Sequence, residues 1–265
     1  MEKLGTIILE IEESDDYATI YLNRPDQLNA LNYQLAEDFV AAMEKIAKND
    51  RIRCIIITGK GNGFCAGGDL AAFKQSTNPD DFLYNLATVF HKGIKILKNI
   101  DAPSVAAVNG ACFGVGLSLA CACDLRICSE NSKFGVAFTS VGLSPDSSLT
   151  FHLPKIVGLP LANEMALLNR VFTAEEAKQY HLVSNIISSN KSLLDEARII
   201  AKNLSRGPTK AFGSSKRLFT MSFSNNLDDQ LNEEIVNIKK NATSEDFQEG
   251  VNSFFEKRKP NFKGR

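Results

Sequence analysis

Near the N-terminus, apolar and β-branched residues run or alternate in two short segments, Thr6 to Ile11 and Tyr17 to Leu22, on either side of the polar stretch Glu13-Ser14-Asp15-Asp16. That pattern predicts a hairpin. From Leu31 to Lys48 the apolar spacing changes to three and four, with Leu35, Phe39, Ala42, Met43 and Ile46 on one stripe, so a helix with one buried face is expected. Cys54 to Thr58, Ser104 to Val108 and Leu125 to Cys128 are short unbroken apolar runs of the kind that form buried strands. Asn78-Pro79-Asp80-Asp81 offers an N-cap, a proline for the first helical position and an acidic first turn, predicting a helix to about Ile100. A shorter helix is expected from Gly114 to about Ala122, a capping box at Thr173-Ala174-Glu175-Glu176, and helix almost continuously from Lys191 to the end. Strands alternate with helices in the first half and stop in the second, which predicts an α/β core followed by a helical C-terminal part.

Composition narrows the possible roles. With 265 residues and 44% hydrophobic content the chain can bury one large core. Thirty basic and 31 acidic residues are well mixed and leave a net charge of −1, so no single-sign field is available to attract nucleic acid or a membrane surface. The six cysteines, Cys54, Cys65, Cys112, Cys121, Cys123 and Cys128, show no metal-ligand spacing and read as reduced core residues. Met1 to Glu13 lacks the basic patch and apolar run of a secretory signal, and the last residues are not the peroxisomal tripeptide. No stretch reaches the roughly 18 to 20 uncharged residues of a bilayer span. A cytoplasmic location is the expectation.

Two glycine-rich loops follow predicted strands. The first is Gly59-Lys60-Gly61-Asn62-Gly63 with Phe64-Cys65-Ala66-Gly67-Gly68-Asp69-Leu70; the second, Asn109 to Ser118, feeds directly into an apolar helix. Two exposed N–H groups, one at the positive end of a helix dipole, can stabilise a developing oxyanion. Each loop alone is better explained as a tight turn, and it is the two together that point to an oxyanion site. Gly114-Val115-Gly116 with Ala120 is one residue off the dinucleotide-binding spacing.

Taken in order, Asn23-Arg24-Pro25, Asn29-Ala30-Leu31, Phe64 to Leu70, Pro103 to Gly110, Cys123-Asp124 and Gly142-Leu143-Ser144-Pro145-Asp146 resemble the successive motifs of the enoyl-CoA hydratase/isomerase (crotonase) superfamily. The resemblance runs through Leu182-Val183 to Glu256-Lys257-Arg258-Lys259-Pro260, nearly the whole chain. It implies a ββα spiral core over residues 1–195 carrying the CoA and acyl site, with a helical trimerisation region over 196–265. It also implies acyl-CoA substrates, a homotrimer or homohexamer, and no metal or cofactor, since coenzyme A belongs to the substrate. Matched position by position, the oxyanion donors would be the N–H groups of Gly68 and Val115, and Ala30, Ala66, Asp69 and Leu70 would lie along the CoA pocket.

The hydratase branch has two glutamates where this chain has Ser118 and Phe138. Adding water across an enoyl thioester needs groups to deprotonate water and to handle the α-carbon proton, so their loss argues against ordinary hydration. Asp146, after Pro145, resembles the acidic residue of the isomerase branches. One carboxylate suffices for a double-bond shift from 3-enoyl-CoA to 2-enoyl-CoA. A solvated aspartate is a weak base for an α-proton, so apolar burial from Phe138, Leu143, Leu149 and Phe151 is expected around it. The bland reading makes Asp146 a turn residue capping a helix. Asp124 reads as structural and Ser118 as a small packed residue. His91, His152 and His181 show no partner spacing, and Lys257 to Lys259 form a solvated tail in which one cation could meet CoA phosphates. Other readings are a ring-epoxide isomerase, a dehalogenase with a nucleophilic aspartate, a residual hydratase, or a non-catalytic acyl-CoA-binding homologue.

Overall fold

The computed structural model describes residues Met1–Arg265. Strands β1 (Glu2–Leu4), β2 (Ile7–Glu12) and β3 (Tyr17–Leu22) form an antiparallel meander. Strands β4 (Cys54–Gly59), β6 (Ser104–Val108), β8 (Leu125–Ser129) and β10 (Asn185–Ile187) extend it in parallel, giving seven strands in the order β1-β2-β3-β4-β6-β8-β10. A second, all-parallel sheet is built from β5 (Gly63–Cys65), β7 (Ala111–Phe113) and β9 (Lys133–Gly135). Each of β4, β6 and β8 is thus followed by a short strand in the small sheet and then by helix, which is the repeated ββα unit. The small-sheet strands, like β1 and β10, are three residues long, too short to carry a period in the sequence.

Both faces of the central strands β3, β4 and β6 are covered, so they read as apolar runs rather than alternations. Ala18, Ile20, Ile55, Ile57, Ala106 and Val108 point into the main core. Their neighbours Tyr17, Cys54, Ile56, Val105 and Ala107 point the other way. There they meet Ala197 and Ala201 of helix α8 (Leu193–Ser205).

On the main-core side, helix α1 (Tyr33–Ala47) starts where the Asn32 side chain accepts from Leu35 N–H at 2.9 Å. It packs against α3 (Pro79–Asn99), where Gly93 lets the Phe39 ring approach; a Cβ there would lie 2.5 Å from that ring. Pro79 and its acidic first turn occupy their expected places, but the Asn78 side chain makes no capping bond. The capping box at Thr173 and Glu176 opens α7 (Ala174–Gln179) as expected. Helices α2 (Leu70–Gln75), α4 (Val115–Ala122), α5 (Leu149–Val157) and α6 (Leu159–Leu167) lie between, and α9 (Thr209–Met221), α10 (Leu227–Ala242) and α11 (Glu245–Phe255) finish the chain.

Two buried polar clusters tie the C-terminal helices to the core. Asp124 accepts from Ser104 Oγ at 2.8 Å, from Lys98 Nζ at 3.3 Å and from Lys216 Nζ at 3.1 Å, joining β6, α3 and α9. Arg53, at the start of β4, donates to Thr209 Oγ1 and to the carbonyls of Gly207 and Phe262. All six cysteines are buried and unpaired. Desolvation pushes the Cys65 thiol up to about 11 and that of Cys121 to about 12. No helix is long and apolar enough to cross a membrane.

Candidate active site

The two glycine loops leave the ends of β4 and β6 side by side, held by side-chain amides. Asn109 accepts from Gly59 N–H at 3.1 Å and donates to the carbonyls of Gly59 and Gly61 at 3.0 and 2.9 Å. Asn29, fully buried, donates to the Gly63 carbonyl at 2.8 Å and accepts from Arg24 N–H at 2.8 Å. Beyond these anchors the loops meet backbone to backbone. A Cβ on Gly114 would stand 3.3 Å from Gly67 Cα, and one on Gly116 only 2.2 Å from the Cys65 carbonyl oxygen. Gly67 and Gly114 also adopt φ of +116° and +53°, a region that favours glycine.

This contact leaves two donors available. Along the first loop, Ala66 N–H donates to Leu28, Leu31 N–H to Gly67 and Asp69 N–H to Leu31, at 3.0, 2.8 and 2.9 Å, while Gly68 N–H has no loop or turn partner. Val115 is the first residue of α4, whose N-cap Gly114 has no side chain to offer, and first-turn N–H groups lack intrahelical acceptors. The helix dipole adds positive character at that end.

Gly68 and Val115 both line a cavity of about 340 Å³ whose wall is mainly hydrophobic. Leu83, Leu86 and Ala87 of α3 close one side, and Phe138, Val141 and Leu143 close the other. Asp146 is the only ionisable residue in the lining. Ala66 and Leu70 line it as well. Ala30 and Asp69 do not: the Ala30 carbonyl accepts from Arg24, and the Asp69 carboxylate sits 2.8 Å from Arg24 Nη2 and caps α2 through Ala72 N–H. Desolvation pulls the Asp69 carboxyl upward, but the hydrogen bonds from Arg24 and Ala72 outweigh it and leave it below the usual carboxylate range. These two residues support the rim rather than face the cavity.

Asp146 departs from expectation in two respects. It is not sealed among apolar side chains; its own side chain is 39% exposed. It also has a partner that sequence spacing did not reveal, because His91 Nε2–H donates to its carboxylate oxygen Oδ1 at 2.8 Å. His91 lies on α3, 55 residues earlier, and no local pattern links it to the loop. The remaining contacts are close in space: Ser147 Oγ donates to Oδ2 at 3.2 Å, and Ser118 Oγ donates to the Asp146 main-chain carbonyl at 2.8 Å. Asp146 does not cap α5, whose N-cap is Ser148 without a side-chain bond. Of the remaining histidines, partly buried His152 is pushed down to about 4 by desolvation and nearby cations. Arg258 in the C-terminal tail is held by Glu249 and Glu256.

An apolar cavity lined by Gly68, Val115 and a single carboxylate suits a substrate that becomes an enolate. The family model for enoyl-CoA hydratase/isomerase matches residues 12–265. The chain belongs to the enoyl-CoA hydratase/isomerase family. Among relatives, a 1,2-epoxyphenylacetyl-CoA isomerase of Escherichia coli (strain K12) is 33% identical over 249 residues, covering 93% of this chain and 95% of that one. A 4-chlorobenzoyl coenzyme A dehalogenase of an Arthrobacter species is 32% identical over 232 residues, covering 87% of this chain and 84% of that one. Among solved structures, an enoyl-CoA hydratase of Bacillus anthracis superposes with a TM-score of 0.91 at 27% identity, over 98% of this chain and all of that one. The α/β fold with C-terminal helices is therefore the fold of this family, and both of the relatives named above are named for CoA thioesters.

Proposed function

We propose that this chain is an acyl-CoA isomerase that moves a double bond from the 3,4 to the 2,3 position. Asp146 removes a proton from the carbon next to the thioester. The negative charge spreads onto the thioester oxygen, which accepts hydrogen bonds from Gly68 and Val115 N–H. Asp146, now carrying the proton, returns it at the γ carbon, so no external acid or base is consumed. The observation that carries this reading is that Asp146 is the sole ionisable group in the cavity lining, with no second carboxylate to activate water. Ser118 and Phe138 stand where a hydratase would have its glutamates. Typical magnitudes suit the assignment, because a positioned general base contributes about 10² to 10⁴ in rate and one oxyanion donor about 3 to 4 kcal/mol.

His91 favours a second reading. An imidazole beside a carboxylate could instead activate water to hydrolyse an ester formed when Asp146 attacks an aryl-CoA halide, the chemistry named for the Arthrobacter relative. Purified protein incubated with a 3-enoyl-CoA, crotonyl-CoA or an aryl-CoA halide separates the two. The isomerase reading expects conversion of the 3-enoyl-CoA alone, reduced roughly 10²- to 10⁴-fold by Asp146→Asn. Halide release with heavy oxygen from labelled water entering Asp146 would establish the other reading.

Residues 1–195 are proposed to carry the acyl site and 196–265 the assembly surface of a homotrimer or homohexamer. In support, Leu227, Ile235, Val236, Ile238, Phe254 and Phe255 of α10 and α11 are all exposed by 60% or more.

A further inference from the structure

We infer that Ser118 is a positioning residue that fixes the distance between the oxyanion donors and the Asp146 carboxylate, an inference that rests on the isomerase reading above. Ser118 is fully buried on α4, one turn beyond Val115. Its hydroxyl has one proton and two carbonyls in reach, Asp146 at 2.8 Å and Gly114 at 3.2 Å. The Gly114 carbonyl already accepts from Ser118 N–H at 3.0 Å, which leaves the hydroxyl for Asp146. A single short bond therefore joins the rigid element that carries one donor to the loop that carries the base.

That loop has reason to need a tether. Ser147 and Ser148, directly after Asp146, sit at φ of +55° and +70°, a region that side-chain-bearing residues rarely adopt and that persists only where neighbours impose it. His91 and Ser147 hold the carboxylate tip, whereas Ser118 holds the main chain beneath it. A glutamate at position 118 could not take this role. It would bring a buried acceptor oxygen against the Asp146 carbonyl, so the tether and a carboxylate at that position exclude each other.

Removing the hydroxyl need not unfold the protein. The Asp146 carbonyl keeps Leu149 N–H at 3.2 Å, the Gly114 carbonyl keeps Ser118 N–H, and alanine favours helix. Ser118→Ala is expected to melt close to wild type and to keep its KM. Its kcat should fall about ten- to a hundredfold, the scale of a roughly 1 Å misplacement. In an Asp146→Asn background the same change should cost nothing further, because there is no base left to position. The ring NMR signals of His91, which touches the Asp146 carboxylate, should shift in Ser118→Ala while those of His181 stay. Wild-type His91 signals in Ser118→Ala would overturn the inference whatever the rates, and so would an undiminished kcat. Full activity in Asp146→Asn would remove the isomerase reading instead, and the His91 signals would then decide alone whether Ser118 holds the loop.

Discussion

At the scale of single residues, the site was half legible. Gly68, Val115 and Asp146 could be picked out only through the family resemblance, matched position by position, because their glycine- and proline-containing segments alone read as turns. His91 could not, since an imidazole on a helix gives no hint of a carboxylate 55 positions away until the loops fold over it. The expectation of an apolar nest for Asp146 failed for the same reason. Apolar neighbours in sequence do not surround a side chain when Phe151, for one, is itself 45% exposed. One buried residue away from the site is left without a partner. Thr19 is buried beneath α8, and its hydroxyl has no hydrogen-bond partner. Leaving a hydroxyl unpaired there costs about 1 to 3 kcal/mol, so Thr19→Val is expected to stabilise the protein by about 1 kcal/mol. Urea unfolding measures this, and a lower midpoint for the variant would mean that the hydroxyl is satisfied after all.

At the scale of elements, β2, β3, β4, β6, β8, α1, α3 and α4 were readable to within a residue or two, whereas α5 and α6 were not anticipated and the four C-terminal helices read as one run. The small sheet was hidden because β5, β7 and β9 are held by backbone pairing inside what read as loops. Helix α5, which follows the Asp146 loop, carries a pH dependence of its own. Burial and the nearby Lys98, Lys155 and Arg126 lower the His152 pKa from 6.5 to about 4. Between those values the unfolded chain binds a proton that the folded chain refuses, so the His152 contribution is fully present above about pH 6.5 and is lost as pH falls toward 4. Stability measured by denaturant from pH 7 to pH 4.5 should therefore fall more steeply in wild type than in His152→Gln. Parallel curves would contradict the assignment.

For the molecule as a whole, the division of labour follows from which surfaces are covered. The central strands of the large sheet are buried on both faces, and the apolar cavity lined by Gly68, Val115 and Asp146 opens where β4 and β6 end and the chain turns into the small sheet. The order of strands and helices made the α/β class readable, whereas the spiral came only with the family resemblance, since nothing in a linear pattern says that successive units stack. Charge was similarly silent about coenzyme A: the cavity lining holds no lysine or arginine, in keeping with the near-neutral chain. A crystal structure with a bound saturated acyl-CoA would show whether the two amides and the carboxylate meet the substrate as proposed. The thioester oxygen is expected about 2.7 to 3.1 Å from both Gly68 N and Val115 N, with the Asp146 carboxylate over the adjoining carbon. A thioester oxygen bound elsewhere, or a carboxylate turned away toward solvent, would contradict the proposed arrangement.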